Sequence, residues 1–357
     1  MSNTFVAIMA GGIGSRFWPA SRAANPKQFL DILGVGKSLI RLTYERFLGI
    51  TDKSQIYIVT NSTYFELVKE HLPEINDDQI ICEPSRNNTA PCVAYTALKI
   101  ENINPNANLI VAPSDHIILQ ESKFLDLIKL ALDYSHQNDA LLTLGIQPTR
   151  PDTGYGYIQF DGNQSINPVV KFTEKPPLEL AQSFIEAGNY LWNAGIFVWS
   201  VKSILKAFKQ YASEITDILG ANPSVYNTPA EKSFIQKNYP LTPNISIDFA
   251  IMEKAKNVFT IPGSFGWSDL GTWASLYSEM PKSEENNVVQ SEKIILENVH
   301  HSLFRLPSNK YAVVKGLNDF LVIDSDDVLL IWPKSEEQNI KNMVEKAKNI
   351  FPDADIF

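Results

Sequence analysis

Residues 4–29 read TFVAIMAGGIGSRFWPASRAANPKQF. The first seven are apolar or β-branched, which predicts a buried strand over Thr4 to Ala10. That strand runs directly into Gly11, Gly12 and Gly14, where a backbone without side chains can approach a phosphate closely. Arg16, Arg22 and Lys27 follow with no Asp or Glu anywhere in residues 1–30, a local charge of +3 in a chain of net charge −9. Cations are thus concentrated beside glycines. Two familiar phosphate loops do not fit. A dinucleotide fingerprint starting at Gly12 needs glycine at position 17, where Phe17 stands. Gly34-Val35-Gly36-Lys37-Ser38 imitates the end of a P-loop, but that motif's first glycine would fall on Asp31, and a carboxylate opposes a phosphate. Gly34 and Gly36 therefore read as a turn before a helix.

Beyond this loop, strand-like and amphipathic segments alternate. Helices are predicted over Ser38 to Ile50, Ser62 to Leu72, Thr89 to Ile103 and Phe124 to Ser135. Strands are predicted over Ile56 to Thr60, Gln79 to Glu83, Leu109 to Ala112 and Leu141 to Ile146. This is the order of βαβ units, so the expected class is α/β with a doubly wound, Rossmann-like domain. After residue 150 the order turns mixed, and the sheet with it: strands Tyr155 to Phe160, Val169 to Thr173, Gly195 to Trp199 and Val258 to Pro262 interleave with helices near 178–187, 202–219 and 230–238. Pro281 to Asn287 (PKSEENN) has no apolar residue to bury and reads as a linker, dividing a domain over 1–282 from one over 288–357. Short β runs at Ser302 to Leu306, Tyr311 to Val314, Phe320 to Asp324 and Val328 to Trp332 suit a small C-terminal β-roll or β-helix-like domain, closed by a helix over Lys341 to Ile350.

Composition excludes several classes. Cys82 and Cys92 are too few for a disulfide framework and lack zinc spacing, and the five histidines fit no metal pattern. The first apolar run is short and has no basic residue ahead of it, unlike a signal peptide, and no stretch nears the ~20 apolar residues of a membrane span. A cytoplasmic location is expected. The acidic balance disfavours nucleic acid or an anionic membrane as the main partner.

The stretch MAGGIGSRFWPASRAANPKQF, residues 9–29, resembles the G-G-x-G-x-R-x-W-P-x-S-R…P-K-Q-F signature of the sugar-1-phosphate nucleotidyltransferases. Its Trp-Pro and Ser-Arg elements are similar to those of members that join GTP to mannose 1-phosphate. Further blocks extend the resemblance in the same order: EPSRNNTAP (83–91), APSDH (112–116), FTEKP (172–176), WNAGIF (192–197) and GWSDLGTW (266–273). The resemblance implies that GTP and α-D-mannose 1-phosphate give GDP-mannose, a polysaccharide precursor, and diphosphate, by attack of the sugar phosphate on the α-phosphorus. A phosphate monoester has a second pKa of about 6, so the nucleophile arrives ionised and no general base is required. The barrier is then largely electrostatic.

By the same resemblance, Arg16 and Lys27 hold the triphosphate and stabilise the leaving group, while the amides of Gly11, Gly12 and Gly14 approach the nucleotide. Asp115 and Asp269 would hold Mg²⁺, a cation that prefers oxygen ligands and keeps several waters. Lys175 meets the sugar phosphate; Glu174, Asn193 and the backbone of Gly154 meet sugar hydroxyls. Trp192 is expected to pack rather than stack, and His116 to be structural. Asn88 and Thr89 contact guanine or ribose. One departure falls here, because Asn87 stands where the family pattern E-P-x-x-R-N-T-A-P has arginine, with Arg86 one residue earlier.

Read singly, Asp115 and Asp269 suit turn or helix caps, and Glu174-Lys175 a solvated strand end. A different sugar or base stays open, as does a catalytically silent nucleotide-sugar-binding relative, although the retained cations and aspartates speak against silence. No isomerase domain is expected after residue 357. The C-terminal segment leaves a homodimer open.

Overall fold

The strand predicted at the N-terminus forms over Thr4–Met9 and becomes the third strand of a nine-stranded sheet. The structure, a computed structural model, describes residues 3–12, 14–325, 327–354 and 356–357. Its contacts divide the chain into two units. One comprises Met1–Gly11, Thr43–Ser114 and Ile118–Trp267; the other comprises Gly12–Leu42, Asp115–Ile117 and Ser268–Phe357.

The sheet lies in the first unit, in the order Ile80–Glu83, Ile56–Asn61, Thr4–Met9, Asn108–Pro113, Tyr190–Ser200, Leu141–Ile146, Val258–Gly263, Asn167–Thr173, Tyr157–Phe160. The first four strands are mutually parallel, as βαβ crossovers require. Tyr190–Ser200 then runs antiparallel to the three strands it pairs with, Asn108–Pro113, Leu141–Ile146 and Tyr157–Phe160, so the sheet is mixed. This strand begins five residues before the expected Gly195 start. The glycine sits inside it at φ +68, near a register shift between Thr143 and Gly145 of the neighbouring strand.

The helix over Thr89–Ile103 forms where predicted, and every residue from Ala90 to Ile100 is buried. A helix apolar on all sides must be covered on all sides; here it also meets the helices Val201–Tyr211 and Ser213–Leu219. Those two replace the single helix expected over 202–219, because Ala212 at φ −151 breaks the run. Its one buried cation, Lys99, ends on the Glu231 carboxylate at 2.8 Å, which Tyr95 also meets at 2.6 Å. Pairing offsets the cost of burying the charge.

In the second unit, Val288–Gln290, Leu303–Arg305 and Phe320–Asp324 form a parallel ladder, and Ile294–Glu297 pairs in parallel with Ala312–Lys315. Leu329–Pro333 closes the first ladder antiparallel. The segment expected to be β-helix-like is thus built of mixed sheets and not a plain solenoid, because its last turn is a tight hairpin. The sequence reading missed the strands at 288–290 and 294–297. Pro281 to Asn287 lies inside this unit as a hydrogen-bonded turn, Ser283 donating to Asn287 O at 2.8 Å. The unit's core joins Phe17, Trp18, Ile32 and Leu39 to Trp273, Leu303, Leu321 and Ile323, with the Phe17 and Trp273 rings 4.7 Å apart. Among the described residues, no helix is long and apolar enough to cross a membrane.

In the first unit, Trp199 is fully buried and stacks on Phe197 at 5.3 Å. Trp199→Ala should cost about 3–5 kcal/mol through lost burial and the cavity left behind; chemical denaturation measures it.

Candidate active site

Lys27 opens a short helical turn, Lys27–Phe29, behind Pro26. Its side chain is buried under the cleft floor, and all three ammonium donors are directed at protein oxygens. Nζ lies 2.8 Å from Asp115 Oδ2, 2.9 Å from the Asp269 carbonyl and 3.0 Å from the Leu270 carbonyl. Three segments far apart in sequence thereby meet at one cation. Gly14 is required for that meeting: it sits at φ +65, and a Cβ there would fall 2.5 Å from Lys27 Cβ. Its part in the structure is close packing.

The cleft above, about 240 Å³, is lined by Gly14, Arg16, Lys27, Asp115 and Asp269, together with His116 and Gly271. Gly271 donates its N–H to Asp269 Oδ1 at 3.1 Å. A Cβ on Gly271 would lie 3.0 Å from Asp269 Oδ2 and 3.3 Å from Arg16 Nη1, so the guanidinium and the carboxylate crowd against the same glycine. Leu270 holds φ +45 between them, a conformation kept in place by its fully buried side chain. Burial pushes the Asp115 carboxyl up, but the Lys27 and His116 charges and the Lys27 hydrogen bond outweigh it and hold the group below its usual range. His116 Nε2 is 4.0 Å from Asp115 Oδ1, so it belongs to the cleft's electrostatics. The donor set fits a hard divalent cation, since Asp115 and Asp269 line one cleft with carboxylate oxygens, the ligand type Mg²⁺ prefers.

A second cluster forms within the first unit, around Gly156. A Cβ there would meet Glu174 Oε2 at 2.6 Å and Asn193 Cβ at 3.4 Å, so only glycine lets these two side chains close over it. Lys175 Nζ pairs with Glu174 Oε1 at 2.7 Å, and the Glu174 carboxylate is nearly buried while Lys175 is exposed. Asn193 donates its backbone N–H to Gly156 O at 2.8 Å. Gly154 donates its N–H to Asp152 Oδ1 at 2.8 Å, so that amide is already engaged. Trp192 packs, 4.9 Å from the Tyr155 ring and under the Arg150 guanidinium.

Sequence reasoning missed Asp248, which receives the Asn193 side-chain N–H at 3.1 Å. Burial, then the Glu174 charge, pushes its carboxyl up to about 7 against the pull of Lys175. The signal was present: Asp248 is the lone charge in the apolar run ISIDFAIM, residues 245–252, where an acid needs a partner.

Of the nucleotide candidates, Gly11 belongs to the first unit, and a Cβ on it would stand 3.5 Å from Glu83 Oε1. Gly12 accepts a hydrogen bond from Gln28 Nε2 at 3.0 Å. Asn88, at φ +67, caps the 89–103 helix through the Thr89 N–H, and Thr89 Oγ1 accepts from Ile247 N at 2.9 Å. The departure at Asn87 has a structural cause: its buried amide donates to Tyr239 O and Thr242 O, whereas Arg86 reaches the Tyr64 hydroxyl at 3.0 Å.

Residues 6–286 match the Nucleotidyl transferase family. The chain belongs to that family. A mannose-1-phosphate guanylyltransferase of Escherichia coli is 34% identical over 351 residues, covering 95% of this chain and 74% of that protein. The xanthan biosynthesis protein XanB of Xanthomonas campestris pv. campestris (strain B100) is 31% identical over 352 residues, covering 98% and 74%. A crystal structure of mannose-1-phosphate geranyltransferase from Thermus thermophilus superposes with a TM-score of 0.87 at 26% identity, covering 96% of this chain and 99% of that one.

For this nucleotidyl transferase, the depressed Asp115 pKa depends on Lys27. Lys27→Met should raise it, as followed by the carboxyl carbon shift on NMR titration. The sign for stability follows: Asp115's contribution is present above the ordinary carboxylate range and is lost as pH falls through its lower folded-state pKa.

Proposed function

We propose that the chain transfers the guanylyl group of GTP to α-D-mannose 1-phosphate, releasing diphosphate and GDP-mannose. The observation that carries this reading is the cleft in which Arg16, Lys27, Asp115 and Asp269 converge, in a family member whose relatives bear that activity in their names. Two anionic substrates repel each other, so the protein's task is to neutralise charge rather than to move protons.

Arg16, exposed at the cleft, is assigned to the triphosphate and the departing diphosphate, for which a planar guanidinium offers paired donors. Lys27 adds a compact charge from beneath and fixes Asp115 and the 269–271 turn in place. Asp115 and Asp269 are the proposed holders of Mg²⁺, which supplies charge neutralisation at phosphate oxygens when bound. The backbone of Gly11, Gly12 and Gly14 and the cap formed by exposed Asn88 with Thr89 are assigned to the nucleotide. Glu174, Asn193 and Gly154 are assigned to the sugar hydroxyls, and the exposed ammonium of Lys175 to the sugar's phosphate.

We also place this activity in residues 1–282 and in the cytoplasm, and read the parallel ladders of 288–324 as short β-helix-like coils.

Pyrophosphate release should be fastest with GTP and mannose 1-phosphate; equal or faster turnover with ATP, UTP, CTP, dTTP or glucose 1-phosphate would reject the assignment. Asp115→Asn and Asp269→Asn should each lower kcat by roughly 10²–10³-fold with an unchanged circular dichroism spectrum. Full turnover in either variant would remove that aspartate from the reaction.

A further inference from the structure

The Asn193 side chain is held by more protein contacts than a residue whose only task is to touch a ligand would need. Its Oδ1 accepts from Thr143 Oγ1 at 2.7 Å and from the Gly195 N–H at 3.1 Å, and its Nδ2 donates to Asp248 Oδ1 at 3.1 Å. These contacts decide which way the amide faces. Turned over, it would set its NH₂ against the Gly195 N–H, donor against donor, and its oxygen against the Asp248 carboxyl, acceptor against acceptor once that group is ionised. With the oxygen's two lone pairs taken and one N–H given to Asp248, the second N–H is the group left to offer. Glu174 Oε2 and Asn193 Cβ both approach the point where a Gly156 side chain would begin, at 2.6 and 3.4 Å, so an acceptor-bearing and a donor-bearing side chain border one spot. A hydroxyl both gives and takes a hydrogen bond, and an adjacent donor and acceptor match it.

We propose that Asp248 is a positioning residue for the sugar phosphate, its Oδ1 holding the Asn193 amide with an N–H presented beside the Glu174 carboxylate. The inference rests on the assignment of this cluster to mannose 1-phosphate. Asp248 starts the helical turn Asp248–Met252, whose Ala250, Ile251 and Met252 are buried in the first unit's core, so the carboxyl is anchored from behind. Its acceptor oxygen serves in the ionised and in the protonated form, because Nδ2 needs only a lone pair.

Steady-state kinetics on the full chain test this. Asp248→Ala should raise KM for mannose 1-phosphate about tenfold while KM for GTP stays within about twofold, the loss of one oriented hydrogen bond. Asp248→Asn keeps an acceptor oxygen and should stay within about threefold of the wild type. In an Asn193→Ala background, Asp248→Ala should add no further change, since the two act as one unit. An unchanged sugar KM in Asp248→Ala, or equal damage from Asp248→Asn, overturns the proposal. Should Asp248→Ala not fold, Thr143→Val removes the amide's opposite anchor and must raise the same KM severalfold; an unaltered value is equally fatal. Wild-type protein that ignores mannose 1-phosphate would instead sink the assignment beneath it.

Discussion

A buried ammonium sets the terms for the second unit. Lys27 is 4% exposed, and an unpaired cation at such depth would cost several kcal/mol. It is tolerated because one carboxylate and two carbonyls surround it, the carbonyls from residues 242 and 243 positions further along the chain. The same contacts that solvate the charge also place Asp115 and turn the Asp269 segment. The cation proposed for polyanion chemistry thus serves as the joint of the cleft, and Gly14 must lack a side chain for that joint to close.

The second unit's C-terminal segment braces the same loop. Trp18 Nε1 donates to the Ile356 carbonyl at 2.7 Å, and Trp273 Nε1 to the Trp18 carbonyl at 3.1 Å. The Arg22 guanidinium engages Asp327 with both terminal nitrogens. Arg305 reaches the carbonyls of Asp31 and Ile32 at 2.9 and 3.1 Å. Two parts of the signature, Trp18 and Arg22, are therefore committed to architecture, which leaves Arg16 as the loop's exposed cation. A basic stretch read as one electrostatic patch divides into three roles once its partners are known.

What could be read beforehand was whatever the chain carries locally. The strand at Thr4, the helix over Thr89–Ile103 and the strand over Leu141–Ile146 announce themselves through apolar runs. Of the cleft's members, Arg16 and Lys27 stand out locally as cations beside glycines, whereas Asp115 and Asp269 are marked out only by the family resemblance and, read singly, suit caps. What stayed hidden depends on distant partners. Nothing near Gly195 says that its strand runs back to Tyr190 and opposes every strand it pairs with, since strand direction is settled by topology. Asn87 looked like a displaced arginine position until Tyr239 and Thr242 appeared as its acceptors. Asp248 carries no motif, only an acid in apolar surroundings whose partner lies 55 residues away.

The two clusters follow opposite electrostatic rules because their proposed ligands differ. Phosphates need cations and fixed donors, and the second unit supplies Arg16 and a deeply held Lys27. Sugar hydroxyls are neutral and need acceptors as well as donors, so the first unit can gather the carboxylates of Glu174, Asp248 and Glu253 close to one another. Such a gathering is unstable unless its charge is drained. Lys175 pairs with Glu174, the Glu174 backbone N–H is taken by Glu253 at 3.0 Å, and Asp248 relieves the repulsion by holding its proton to about pH 7. The carboxyl that binds its proton most readily is the one whose work, holding an amide N–H, needs no charge at all.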